Sequence, residues 1–86
     1  MDSHMNAFLF HCGKLYSKHE HYLMARYTFK IATRLNHVPS MRELGILYIK
    51  GKGGEVDIYE GSRLLHLAED AGDHVASIIL DSYLEF

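Results

Sequence analysis

The residues with the most chemistry in them are the histidines, seven in a chain of 86. His11, Cys12, His19, Glu20 and His21 fall close together and offer imidazole, thiolate and carboxylate, the ligand types of zinc or nickel. Their spacing argues against a metal. His19 and His21 stand two apart at a helix start and point in different directions, and no second cluster completes a tetrahedral set. Cys12 lies beside a presumed core position, with no His and Asn or Asp partners recognisably placed to activate it, so it reads as a small buried hydrophobe. Gly51-Lys52-Gly53-Gly54 has the look of a phosphate loop, but it follows a helix instead of a strand and lacks the terminal Lys-Ser/Thr. Asp73 and His74 form a first helical turn. No acid, base and nucleophile set emerges, so the expectation is a non-enzyme with no cofactor and no metal.

Eighty-six residues make one domain, since a single core usually needs about 100 to 150 and shorter chains seldom divide. At 48% hydrophobic and 23% charged, with one proline, the chain is too apolar for disorder, and its apolar runs are too short for a membrane span. A single cysteine permits no internal disulfide and points to a reducing compartment. The N-terminus lacks the basic segment, apolar stretch and cleavage site of a signal peptide, and the expected location is cytoplasmic. Ser3-His4-Met5 reads as a cloning remnant ahead of a native start at Met5, leaving residues 5–86 as the domain and 1–4 outside it.

The elements that must position these residues are helices. Tyr22, Ala25, Phe29 and Ala32 recur at spacings of three and four, and Met24, Tyr27, Ile31 and Leu35 mark a second stripe on the same segment. Two stripes require neighbours on two sides. Helical spacing returns at Met41, Leu44, Gly45 and Tyr48, at Leu64, Leu65, Ala68 and Ala71, and at Val75, Ile79 and Leu80. Asp57 with Glu60 and Ser17 with Glu20 are capping-box patterns, Asp73 suits an N-cap, and Pro39 suits a first turn. Asn36 and Gly72 stand where left-handed C-terminal positions are wanted. The helices predicted are about 6–16, 19–35, 38–50, 58–71 and 74–85.

Self-similarity sets their arrangement. Advancing Ala25, Phe29, Ala32, Asn36, Ser40 and Leu44 by 36 positions gives Gly61, Leu65, Ala68, Gly72, Ala76 and Leu80, alike in size and polarity, while Gly13 and Tyr16 meet Gly45 and Tyr48 at 32. The first copy thus has a loop four residues shorter. Two-helix units at such a period bury their apolar faces by stacking. The predicted fold is all-α, a short α/α superhelix or solenoid of two helical hairpins, 6–36 and 38–72, with a C-terminal capping helix over 74–86. Glycine inside a helix costs about 1 kcal/mol against alanine, so Gly13 and Gly45 call for close backbone approach, with Ala32 and Ala68 as the expected partners on the facing helix.

Leu44-Gly45-Ile46-Leu47-Tyr48-Ile49-Lys50-Gly51-Lys52-Gly53, then Asp57, Leu64-Leu65, Ala68, Ala71-Gly72 and Ala76, resembles a complete Sel-one-like repeat, a relative of the tetratricopeptide repeat. The resemblance is strong over residues 40–76 and weaker over 7–39, where the Gly-x-Gly loop is missing. Gly61 stands where the family has alanine and Gly54 where it has valine, departures that suggest a looser second hairpin. Asp81 replaces the repeat glycine in the last helix, as suits a terminal cap.

The resemblance implies a scaffold. Such proteins present a concave surface, lined by the first helix of each hairpin, to a peptide, a helix or a whole partner protein. Carried onto this chain, that surface comprises Phe10 and Lys14, then Arg42, Ile46 and Ile49, then Ile78 and Ser82. A competing reading makes some of these isoleucines core residues of a helix rotated from this assignment.

The leading function is therefore a protein–protein interaction adaptor, with dimerisation or the partner adding stability to so short a stack. Charge suggests an alternative. Residues 1–50 carry seven Lys and Arg against three acids, net +4, and residues 51–86 two against eight, net −6. A small inhibitor or regulator occluding its target through Glu55, Asp57, Glu60, Glu69, Asp70 and Asp73 would use that acidic half. Neither nucleic acid nor membrane is expected as a partner, because the basic residues are scattered over several segments and form no nucleic-acid-binding fingerprint.

Overall fold

The computed structural model describes residues 3–84. Among them the chain forms five helices and no strand: α1 Ser3–Lys18, α2 Tyr22–Arg34, α3 Val38–Lys50, α4 Ile58–Asp70 and α5 His74–Leu84. Each helix packs on the one before it. Ion pairs also link α1 to α3, from Lys14 to Glu43 at 3.9 Å, and α3 to the residue before α5, from Arg42 to Asp73 at 2.8 Å. This is the all-α arrangement of two hairpins and a capping helix. The end of that cap, expected at residue 85, lies outside the described residues.

Helix ends in the second hairpin follow the polar signals. The backbone N–H of Glu60 donates to Asp57 Oδ1 at 3.0 Å, and that of Ala76 donates to Asp73 Oδ1 at 3.1 Å. Each bond satisfies one of the free amides of a first turn. The Glu60 carboxylate turns away from its half of the box to receive Arg63 at 2.8 and 2.7 Å. Asn36 and Gly72 have positive φ, 65° and 99°, as their positions require. The first hairpin differs. Ser17 does not cap α2, because α1 runs on to Lys18 and ends with Glu20 at φ 63°, where the amides of Glu20 and His21 bond back to the carbonyls of Ser17 and Tyr16. A pattern that reads as a start is here a stop, and α2 begins at Tyr22.

Two apolar clusters hold the stack together. Ala25, Phe29, Leu44, Leu47 and Leu64 join the hairpins, with Phe10, Tyr16, Tyr22 and Tyr48 at the edge. Ile49, Leu65, Ala68, Ala76 and Leu80 join the second hairpin to α5, and Met41 packs against both groups. The glycines explain how α3 and α4 approach. A Cβ on Gly45 would stand 2.9 Å from the Gly61 carbonyl oxygen and 3.0 Å from Leu65 Cγ, and one on Gly61 would meet the Gly45 carbonyl oxygen at 2.7 Å. The close approach expected at Gly45 is thus made to Gly61, not to Ala68. A Cβ on Gly61 would also run into Ile49 Cγ1, so this position has no room for a side chain. At Gly13 the missing side chain makes room for the Phe29 ring, not for the backbone around Ala32.

Arg26 closes the loop between α3 and α4 against α2. Its Nε donates to the Lys52 carbonyl at 2.6 Å, its Nη2 donates to the carbonyls of Leu47 at 3.2 Å and Glu55 at 3.0 Å, and the guanidinium lies 4.5 Å from the Tyr48 ring centroid. A planar cation with several donors is suited to collecting carbonyls this way.

Alanine at Gly45 is expected to lower stability by about 1–3 kcal/mol through overpacking, even though alanine favours a helix by about 1 kcal/mol. Urea denaturation followed by circular dichroism measures this. An unchanged or raised midpoint would mean that the α3–α4 crossing has slack to spare.

Candidate functional site

Where α1 and α3 lie side by side they leave a groove of about 310 Å³, closed at one end by Tyr22 and by the loop after α3. Its floor is Ile46 and Leu47, and its rim carries Lys14, Lys18, Lys50 and Lys52. The single carboxylate in the lining, Glu43, is already held by Lys14 at 3.9 Å and Arg42 at 3.2 Å. Lys52 donates to the Tyr22 hydroxyl at 3.2 Å and sits 4.7 Å from that ring's centroid, which aims it at the groove mouth. Lys50 lies 5.7 Å from the Tyr83 ring centroid on α5. Four ammonium groups around an apolar floor make a site that attracts carboxylates while offering their aliphatic stems somewhere to rest.

The seven residues expected on the concave face separate into groups. Lys14 and Ile46 line the groove. Phe10 is half-buried at the core edge, its ring 6.1 Å from Phe29 and 5.3 Å from His37. Ile78 and Ser82 are exposed on α5 and lie outside the groove lining. Arg42 is not free for a partner: its side chain is 16% exposed and donates to the Asp73 carboxylate, itself 7% exposed. Ile49 is a correction. It is buried in the cluster with Leu65 and Ala76, because α3 turns that side toward α4 and α5, where Gly61 gives it room. Lys18, Lys50 and Lys52 were missed as site residues. Lys14 and Lys18 share a helix face at four-residue spacing, but only the packing of α1 beside α3 brings the other two lysines to them.

Among the described residues no three His, Cys, Asp or Glu side chains converge to hold a metal ion. Cys12 is half-buried and unbridged. The amides of Gly51 and Lys52, which a phosphate would need, bond to the carbonyls of Tyr48 and Leu47 and finish α3. His37 Nδ1 and Ser40 Oγ are 2.8 Å apart, and with Ser40 fully buried this pair braces the start of α3.

Comparison with protein families, curated proteins and solved structures finds no match to this chain.

His37 is the residue whose surroundings couple folding to pH most directly among the described histidines. Burial, with the nearby charges of Arg42 and His11, holds its pKa below the usual 6.5. A folded value below the unfolded one means the unfolded chain binds the extra proton. Stability is therefore full above 6.5 and falls as pH drops through that value toward the folded one. A His37→Asn chain, which keeps a residue suited to the N-cap position, should lose less thermal stability than wild type between neutral and mildly acid pH. Parallel curves for the two chains would assign the acid loss to other groups.

Proposed function

We propose that this chain is a non-catalytic protein-interaction module whose groove between α1 and α3 receives an acidic segment of a partner protein. One observation carries the reading: Lys14, Lys18, Lys50 and Lys52 line a groove with an apolar floor, and its one lining carboxylate, Glu43, is paired with Lys14 and Arg42, which leaves the other three lysines without a carboxylate in the lining. The resemblance of residues 40–76 to a Sel-one-like repeat supports it, since such repeats serve as scaffolds. Lysines are compact, mobile point charges, suited to a row of side-chain carboxylates more than to a planar bidentate ligand.

Among the described residues no helix is long and apolar enough to cross a membrane. We place the module in the cytoplasm on the strength of its single unbridged thiol.

The alternative, an inhibitor acting through the acidic half, has fewer free charges than the sequence suggests. Asp57 and Asp73 cap helices, Glu60 is held by Arg63, and Glu69 accepts from Ser77 at 2.6 Å. Salt dependence does not separate the two readings, because the groove is itself strongly charged.

Charge reversal does separate them. Lys18→Glu with Lys50→Glu should weaken binding of a fluorescent peptide of alternating Glu and Leu by about tenfold or more. Ile46→Asp should do likewise by spoiling the floor, and reversing Glu69 and Asp70 should change nothing. Fluorescence anisotropy reads all three. Binding that survives the lysine reversals and disappears with the acidic ones would transfer the function to the other half of the molecule.

A further inference from the structure

The chain contains its own reference for which surfaces are meant to be covered. Advanced by 32 positions, Phe8, Cys12 and Leu15 of α1 coincide with Ser40, Leu44 and Leu47 of α3. Those three α3 residues are 0%, 2% and 5% exposed, and Leu44 and Leu47 are buried against Phe29 and Ala25 of the first hairpin. Phe8 and Leu15 are 63% and 57% exposed. The second apolar stripe of α2, expected to meet a neighbour, is also exposed, Met24, Tyr27 and Ile31 being 45%, 57% and 48% exposed, but its counterparts 36 positions on, Glu60, Arg63 and Leu67, are not buried either, so it repeats no covered interface. The α1 flank of the first hairpin therefore presents, at Phe8 and Leu15, exposed apolar counterparts of positions that are covered inside the chain, with the half-buried Cys12 between them.

The pattern along α1 says what fits there. Met5, Phe8, Cys12 and Leu15 are spaced three, four and three apart, a sequence symmetric about residue 10. When two such helices lie antiparallel across a two-fold axis at that level, Met5 faces the partner's Leu15 and Phe8 faces the partner's Cys12, large against small. An open depression of about 640 Å³ lined by Cys12, Leu15, Tyr16, His19 and His21 lies on this flank, where the partner's Phe8 and Met5 would enter. The stripe carries no charged residue, so it has nothing with which to select a charged partner. The cations of α1, Lys14 and Lys18, line the groove on the other flank, and an antiparallel pair holds them at opposite ends.

We propose that the chain forms a two-fold symmetric dimer in which α1 packs antiparallel on α1 of a second copy along Met5, Phe8, Cys12 and Leu15, an isologous contact that closes on itself. The proposal does not rest on the groove reading, and the dimer leaves both grooves open.

Analytical ultracentrifugation of the full chain with reductant tests it, across the micromolar to millimolar range. A reversible dimer is expected. Phe8→Asp and, separately, Leu15→Asp should each raise the dimer dissociation constant by about a hundredfold or more, because the symmetric contact buries the new charge twice. Both residues are exposed in the single chain, so circular dichroism should show full helicity, and Lys50→Glu should leave the dimer intact. Orientation has its own readout. Phe8→Cys should form a covalent dimer with the partner's Cys12 on mild oxidation. Wild-type Cys12 should not pair with itself: the two lie four residues apart along the helices, about 6 Å, in addition to the helix separation, beyond the roughly 7 Å Cα limit of a disulfide. A monomer at every concentration, or a dimer indifferent to both aspartates, overturns the proposal. A wild-type disulfide without the Phe8→Cys cross-link overturns the antiparallel arrangement.

Discussion

The approach of α3 to α4 at Gly45 and Gly61 sets the geometry that the rest of the molecule uses. With side chains absent from both positions, each glycine lies against the other's carbonyl oxygen. That short distance lets α4 turn Leu64 into the cluster shared with the first hairpin and Leu65 into the cluster shared with α5. Neighbouring residues on one helix thus serve two interfaces, and a stack this short has two joined cores instead of two separate ones. A single hairpin has no such option, because its helices offer apolar surface on flanks that only another hairpin can cover.

Polar groups fix what the apolar contacts leave loose. Arg26 draws in the carbonyls of Leu47, Lys52 and Glu55, so a glycine-rich connection is held by the hairpin before it. The same bond to the Lys52 carbonyl places the Lys52 side chain beside Tyr22 at the groove. Arg42 and Asp73 work as a second tie, since one carboxylate both caps α5 and anchors it to α3. Partly buried ion pairs of this kind fix register more than they add stability. Groove and scaffold are therefore built from the same few contacts.

Periodicity and punctuation made the helices legible. Asp57, Asp73, Pro39, Asn36 and Gly72 each do what their residue type suggests, and α3 spans Val38–Lys50 as read from the sequence. Ser17 and Glu20 misled, because the same residue types can end a helix or begin one, and the left-handed turn at Glu20 depends on how the hairpin closes. Ile49 was assigned to the wrong face because a helix packed on three sides has little free arc. Arg42, expected on the concave face, is instead tied to Asp73 of the same chain. The groove was half visible. Lys14 and Ile46 could be named from the resemblance, whereas Lys50, at the end of α3, meets them only through helix packing and Lys52 through a loop that Arg26 holds.

The uneven distribution of charge gains a meaning from the shape. The molecule extends 38 × 27 × 17 Å, its first half rich in cations and its second half in anions. Such a body is a permanent electric dipole, and it feels a torque in the field of any strongly charged object before contact. Approaching an acidic surface, it rotates to lead with its cation-rich side, so fewer collisions arrive in a useless orientation. An overall charge near zero would hide this from any description that counts only totals.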